Sequence, residues 1–290
     1  MYNSLSQIIK EEKVKKIPFW KVVQLDDCHE EELTEDESMA KVLELYTAMK
    51  ESVANYDAKT KSRSALVGGN GGKVEERNKK HEMLCGDFMG SVIEKALKIA
   101  ESNACMKRIV ASPTAGSCGV VPAVLISLQE RDGFSDEKMC EALYVAAGIG
   151  GVIAAKASIS GAADGCQAEI GSASAMAAGA AVYLYGGAGA DISNAAALAL
   201  KNLLGLACDP VAGLVEVPCV KRNVIGATNA ITSADLTLAG IKSRIPADEV
   251  FEAMHQIGKN MNVGIKETAE GGLATTKTGL KITEAIREAD

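Results

Sequence analysis

Apolar residues recur at helical spacing in several separate segments of the chain. In the segment after Thr34 they form one stripe, which comprises Met39, Val42, Leu43, Tyr46, Met49 and Val53. Thr34 and Glu37 have the spacing of a capping box, in which the two side chains satisfy free backbone N–H groups at a helix start. The pattern therefore predicts an amphipathic helix that begins just after Thr34.

Four further helices follow from the same reasoning. One stripe predicts a helix from about Phe88 to Asn103, and residues 120–130 form a continuous apolar helix. Ser135 is suited to cap the third, and Pro246 is suited to the first turn of the fourth. Strand signals are scarce, because period-2 alternation is hard to find and aromatic residues make up only 4% of the chain. The sequence therefore predicts a mainly α fold with a single large helical domain.

Residues 145–200 are dominated by alanine and glycine, and no charged residue occurs from Ile170 to Ala190. That stretch is long enough to suggest a membrane span. However, Leu, Ile, Phe and Val, which favour membrane insertion, are nearly absent from it, whereas Ala, Gly and Ser gain little in lipid. We therefore predict a buried helix whose small side chains let neighbouring helices approach closely, and no membrane contact.

A glycine-rich stretch, residues 68–72 with the sequence GGNGG, lies within the polar segment 57–80. Such a composition is typical of a flexible loop or linker. A phosphate-binding loop is the alternative, but no strand precedes the glycines and no GK[ST] ending follows them. We therefore predict a flexible loop here.

Composition narrows the possible functions. The 290 residues include 38 Asp and Glu against 31 Lys and Arg, which gives a net charge of -7. This acidic balance argues against a nucleic-acid partner. The N-terminus has no apolar stretch followed by a cleavage site, so we expect a cytoplasmic protein. Eight cysteines in such a chain favour reduced thiols with metal or catalytic roles over a disulfide framework.

Three of the cysteines, Cys166, Cys208 and Cys219, each lie within two residues of a glycine or proline. Irregular backbone at these positions would let three thiolates converge on an iron–sulfur cluster. Their spacing, C-x41-C-x10-C, differs from that of ferredoxins and is weak evidence by itself. From the spacing alone, burial as three small apolar side chains in an alanine-rich core is the favoured interpretation.

The segment 112–119, with the sequence SPTAGSCG, leads into a predicted helix. Free N–H groups at a helix start bind anions, and hydroxyl side chains add further hydrogen-bond donors. Ser112, Thr114, Gly116 and Ser117 are therefore candidate ligands for the carboxylate of a substrate. A plain helix cap with a glycine-rich turn is the alternative, and the segment alone leaves both open.

Four motifs together resemble the α chain of iron–sulfur-dependent L-serine dehydratases. They are ASPTAGSCGVVPA at 111–123, GCQAEIGSASAMA at 165–177, CDPVAGLVEVPC at 208–219 and KETAEGGLA at 266–274. The resemblance extends from about Arg63 to Ala274. It implies a helical catalytic domain over residues 63–290, with residues 1–62 as an N-terminal helical extension.

The resemblance also implies the chemistry. A [4Fe–4S] cluster would be held by the family's three cysteines, which fall on Cys166, Cys208 and Cys219. One iron would stay open as a Lewis acid for the dehydration of L-serine to pyruvate and ammonia, without pyridoxal phosphate. The catalytic base is not identified, although Glu169 and Lys266 lie within the motifs.

Two-chain members of this family have a separate β subunit that carries a Ser-His-Thr-x-Gly-Pro motif. This sequence lacks that motif, so the resemblance implies an α chain that needs a β partner, whose motif histidine is a further candidate base. Some single-chain members end in a cysteine that serves as a removable fourth cluster ligand. Residues 281–290 contain no cysteine, so none of them could serve as this removable fourth ligand.

Three other functions compete with this one. A related iron–sulfur lyase acting on cysteine or another β-substituted amino acid would use the same cluster residues. A pyridoxal-phosphate dehydratase would need a Schiff-base lysine, for which Lys156 before ASISG is the best candidate, within a doubly wound α/β pattern that the sequence lacks. The third alternative is a non-catalytic cluster-binding or redox-sensing protein. A cluster used only for electron transfer usually has four protein ligands, so three cysteine ligands favour catalysis.

Overall fold

The computed structural model describes residues 2–289. Within that range thirteen α-helices, four 3₁₀ turns and one π-helical turn account for the regular structure, and extended pairing is limited to a bridge between Cys208 and Lys266. The helices are α1 (Leu5–Lys15), α2 (Phe19–Glu30), α3 (Glu35–Ala54), α4 (Asn70–Lys79), α5 (Gly86–Ala104), α6 (Val120–Asp132), α7 (Asp136–Lys156), α8 (Gly161–Asp164), α9 (Ser172–Leu184), α10 (Gly189–Lys201), α11 (Cys219–Leu238), α12 (Ala247–Asn260) and α13 (Lys277–Ala289). The mainly α prediction is confirmed.

The predicted helix starts are also confirmed. The Thr34 hydroxyl accepts from the backbone N–H of Glu37 at 3.3 Å, and the Glu37 carboxylate accepts from the Thr34 N–H at 2.9 Å. The Ser135 hydroxyl accepts from the N–H of Lys138 at 3.2 Å and begins α7. Pro246 directly precedes α12. These caps form because local side chains satisfy N–H groups that have no partner within the helix.

Helix α9 lies at the centre of the fold, and all of its residues are buried. It packs against α6, α7, α10 and α11. A methyl group at Gly179 would come within 2.3 Å of the Ile149 side chain on α7, so the absence of a side chain permits this close approach. The predicted buried helix is therefore confirmed, although it ends at Leu184 because Gly186, at φ +86°, turns the chain away.

The N-terminal helices contribute to the same core as α9. Leu5, Phe19 and Tyr46 are fully buried in it. The division of the chain into segments 1–62 and 63–290 stays a prediction, and their outer residues, Met1 and Asp290, lie outside the described residues.

One helix, α7, is long and apolar enough to cross a membrane by length and composition. In its most apolar window, 61% is buried inside the fold. This is the pattern of a core helix, and α7 packs against α2, α3 and α9.

The flexible loop predicted for residues 57–80 is wrong in its second half, where Asn70 begins helix α4. The preceding glycines wrap around the fully buried carboxylate of Glu101 on α5. Its oxygens accept from the backbone N–H groups of Gly68, Asn70 and Gly71 at 3.0–3.1 Å. The segment therefore does enclose an anion, but the anion belongs to the protein itself.

Candidate functional site: a buried three-thiol centre

Three distant parts of the chain bring Cys166, Cys208 and Cys219 together. Cys166 precedes the π-helical turn Gln167–Gly171, Cys208 is the bridge residue paired with Lys266, and Cys219 is the first residue of α11. All three are buried, and none forms a disulfide. The thiol of Cys208 is hydrogen-bonded to the sulfur of Cys166, and the charge on Cys166 also acts on Cys219. The three thiols are therefore buried where their charges interact, and their role as cluster ligands stays a prediction.

Arg222 links the three cysteine segments. It lies three residues after Cys219 on α11, so both side chains project from the same helix face. Its guanidinium donates to the Ala207 carbonyl at 2.6 Å and to the Asp209 carboxylate at 2.8 Å, on either side of Cys208. Its positive charge also acts on Cys166. One planar cation thus joins the Cys208 and Cys219 segments by hydrogen bonds and influences Cys166 through its charge, which the fork of donors of arginine allows.

The protonation of the thiols follows from these contacts. The hydrogen bond from Cys208, together with the positive charge of Arg222, lowers the pKa of Cys166 below the ordinary thiol value. The same bond raises the pKa of Cys208. Burial raises the pKa of Cys219 to about 12. A soft metal must therefore displace protons from Cys208 and Cys219, whereas Cys166 is already predisposed to the thiolate form.

The soft donors of the three cysteines are compatible with an iron–sulfur cluster. Among the residues that the structure describes, no group of three or more His, Cys, Asp or Glu side chains could hold one metal ion. A [4Fe–4S] cluster is bound differently, because each thiolate ligates its own iron. Three buried thiols on irregular backbone beside a cation supply the soft ligands that such a cluster requires.

Backbone and side-chain anchors fix the two loops that carry Cys166 and Cys208. The buried Gln167 side chain donates to the carbonyls of Asp164 and Met254 at 2.8 and 2.9 Å and accepts from the N–H of Gly205 at 2.9 Å. The Cys208 N–H donates to the Ile265 carbonyl at 2.8 Å. The Cys208 carbonyl in turn accepts from the Glu267 N–H at 2.8 Å, so the motif at 266–274 supports the Cys208 loop through the backbone.

The segment 112–117 forms a compact turn next to this centre. Ser117 is fully buried, and its hydroxyl accepts from the Thr114 N–H at 3.3 Å and so caps the 3₁₀ turn Ala115–Ser117. Ser112 and Gly116 are buried, and Thr114 is partly exposed. Two of the four predicted substrate ligands, Thr114 and Gly116, lie against Glu169. Ser112 instead borders a separate apolar cavity of about 370 Å³.

Asn223 joins this turn to the cysteine centre. Its side chain donates to the Gly116 carbonyl at 2.8 Å and to the Cys219 carbonyl at 3.0 Å, and it accepts from the Gly119 N–H at 2.8 Å. The residue is 1% exposed. Because every polar atom is paired, Asn223 fixes the distance between the turn and the start of α11.

Glu169 lies between the turn and the cysteines. Its Oε1 accepts from the Thr114 hydroxyl at 2.7 Å. Two glycines permit this position: a methyl group at Gly116 would lie 3.0 Å from Oε1, and one at Gly161 would lie 3.0 Å from Oε2 and 2.8 Å from the Cys208 sulfur. Burial raises the pKa of Glu169, although the hydrogen bond from Thr114 opposes this shift.

Sequence reasoning did not find Arg222, Asn223 or Gln167. The first two follow Cys219 at the i+3 and i+4 positions of a helix, and this spacing could have indicated them. Gln167 gave no such signal, because its partners come from segments that are distant in sequence. Lys156, the lysine considered for a Schiff base, forms an ion pair with Glu252.

The fold and the site define a class: a helical protein with a buried three-thiol centre beside a hydroxyl-bearing turn. The sequence profile of the family described as serine dehydratase alpha chain matches residues 4–274. The chain therefore belongs to the serine dehydratase α-chain family.

Individual relatives agree. The chain is 43% identical to the "Probable L-serine dehydratase, alpha chain" of Bacillus subtilis (strain 168), over 99% of this chain and 95% of that protein. It is 38% identical to the L-serine dehydratase α chain of Peptoniphilus asaccharolyticus, over the full length of both. It is also 44% identical to an L-serine dehydratase of Helicobacter pylori (strain ATCC 700392 / 26695), over 62% of this chain but only 40% of that protein.

Proposed function

We propose that this chain is the α subunit of an iron–sulfur-dependent L-serine ammonia-lyase, which converts L-serine to pyruvate and ammonia. The observation that carries the proposal is a set of three buried, electrostatically interacting thiols, with Arg222 bonded on both sides of Cys208, beside the turn at 112–117. Relatives of nearly equal length are named L-serine dehydratase α chains, which supports both the substrate and a separate β subunit.

Cys166, Cys208 and Cys219 would hold a [4Fe–4S] cluster in this enzyme. Three protein thiolates leave one of four irons without a cysteine. When bound, such a cluster supplies a Lewis acid that polarises the β-hydroxyl group of serine and so assists its loss. Pyridoxal phosphate has no role in this proposal.

The turn at 112–117 would bind the substrate carboxylate. Thr114 and Gly116 are the members that lie against Glu169, and Ser112 and Ser117 shape the turn around them. Hydrogen bonds to the carboxylate also stabilise the enolate-like charge that develops when the Cα proton leaves. Loss of that proton and of the β-hydroxide, which together make one water, gives aminoacrylate, which tautomerises to an imine and is hydrolysed to pyruvate and ammonia.

The proposed enzyme acts with a β subunit that carries a Ser-His-Thr-x-Gly-Pro motif, in the cytoplasm. Residues 63–290 would form the catalytic part, on which the helices of residues 1–62 pack.

The test is anaerobic co-purification with the β subunit, followed by iron and sulfide analysis and pyruvate assays with serine, threonine and cysteine. We expect an oxygen-sensitive absorption band near 400 nm and release of pyruvate from serine in preference to cysteine. Cys219→Ala should remove both the cluster and the activity. Cys140→Ala, a buried thiol in the helical core, is the matched control and should retain both. Retention of both by Cys219→Ala would refute the ligand assignment.

A further inference from the structure

Glu169 lies between the turn at 112–117 and the cysteines, and only one of its two carboxylate oxygens accepts a hydrogen bond from the described residues. Oε1 accepts from Thr114, whereas no donor to Oε2 occurs among the described residues. Oε2 and the Cys208 sulfur both lie within about 3 Å of the point where a side chain at Gly161 would begin. A methyl group at Gly161 would crowd both atoms, so the glycine keeps Oε2 and the Cys208 sulfur unobstructed.

The charges around Glu169 favour a cation in this space. The carboxylate of Glu267 adds a negative charge near Glu169, and the charge of Glu169 in turn acts on the Cys219 thiol. Arg222 is the cation that acts on Glu169, but its guanidinium is already bonded to Asp209 and Ala207. Glu169 is partly buried, and a carboxylate oxygen that lacks a donor and lies near a second negative charge is stabilised by a cationic ligand.

We propose that Glu169 binds the α-ammonium group of the substrate and so makes the site selective for amino acids over hydroxy acids. The inference rests on the proposed function. The Thr114 hydroxyl belongs to the turn that would bind the substrate carboxylate, and it also orients Glu169. The ammonium and carboxylate groups of an amino acid are attached to the same carbon. They therefore match two binding groups that are in direct contact, Glu169 and the turn at 112–117.

The experiment uses the anaerobic holoenzyme with its β subunit and two ligands that lack a leaving group, L-alanine and L-lactate. These ligands differ only in that lactate has a hydroxyl group in place of the ammonium group. We expect Glu169→Gln to weaken L-alanine binding about 10- to 100-fold, as for loss of a charged hydrogen bond, and L-lactate binding by less than about threefold. The dissociation constants are measured by calorimetry, and the KM for serine should rise in parallel.

Controls separate the alternatives. Glu270→Gln removes the same charge from an exposed residue and should leave both dissociation constants unchanged. Iron and sulfide contents of all variants should equal those of the wild type. If Glu169→Gln does not fold, Glu169→Asp, which shortens the reach of the carboxylate, should show the same selective loss for L-alanine.

Two results would overturn the inference. An equal loss of L-alanine and L-lactate binding would indicate that Glu169 only supports the turn. A fall in kcat with unchanged L-alanine binding would instead make Glu169 the proton acceptor. Failure of the wild-type holoenzyme to release pyruvate from serine would contradict the proposed function itself, and the wild-type arm reports that separately.

Discussion

The carboxylate of Glu101 has more hydrogen bonds than any other group described here, and its replacement by an amide tests the role of the glycine-rich segment. Oε1 accepts from Gly68, from the backbone of Asn70 and from the Asn70 side chain at 2.7–3.1 Å. Oε2 accepts from the Gly71 N–H and the Tyr56 hydroxyl. All of these donors meet an acceptor that is fully buried.

In Glu101→Gln, one acceptor becomes a donor. The Tyr56 hydroxyl can rotate, but a backbone N–H cannot, so the N–H of Gly71 loses its partner. An unsatisfied buried donor costs about 1–3 kcal/mol, and the remaining bonds lose their charge assistance. We therefore expect the free energy of unfolding to fall by about 2–4 kcal/mol, which lowers the Tm on the order of 5–10 °C.

The measurement combines thermal and urea unfolding with hydrogen exchange of residues 68–71. Glu76→Gln on α4 removes the same charge from an exposed residue and should change stability by less than about 0.5 kcal/mol. Equal stability of the two variants, with protected amides at Gly68 and Gly71 in both, would refute the claim that Glu101 organises this segment.

Three further predictions concern the site and the helix contacts. Arg222→Lys keeps the charge but loses the planar fork of donors. We therefore expect the iron and sulfide content after anaerobic reconstitution to fall, with unchanged far-UV circular dichroism. An iron content equal to that of the wild type would contradict this. Gly161→Ala places a methyl group 2.8 Å from the Cys208 sulfur, and kcat/KM for serine should fall about 100-fold, with unfolding free energy within about 1 kcal/mol of wild type. The hydrogen bond and charge of Lys50 lower the pKa of Asp136. The pair therefore stabilises the fold at pH values above the ordinary aspartate pKa. This stabilisation is lost as the pH falls through the lowered pKa of Asp136. Asp136→Asn should therefore cost about 0.5–1 kcal/mol at pH 7, measured by urea unfolding, and the difference from wild type should vanish near pH 2; a difference that persists there would argue against ionisation as its source.

Local signals predicted much of the helical framework. The caps at Thr34 and Ser135 and the buried helix α9 depend on side chains within a few residues of each other, so the sequence contains the relevant information. The glycine-rich segment shows where such reasoning fails. Its composition indicates a flexible loop, but its conformation depends on Glu101, about 30 residues further along the chain.

By itself, the sequence determined which residues are available for chemistry. The motifs around Cys166, Cys208 and Cys219 indicated the candidate thiols, and the hydroxyl-rich turn indicated a possible anion site. The spacing of the cysteines could not decide between ligands and core residues, because it contains no information on distance in space.

Only the tertiary structure decided how these residues meet. It placed Cys166, Cys208 and Cys219 where their charges interact, and it revealed that Arg222 and Asn223 join segments more than a dozen residues apart. It also positioned Glu169 beside both the turn and Cys208, through the space that two glycines leave open. The physical reason is that the charge and hydrogen-bond partners of a buried group are set by packing between distant segments, which no local pattern contains.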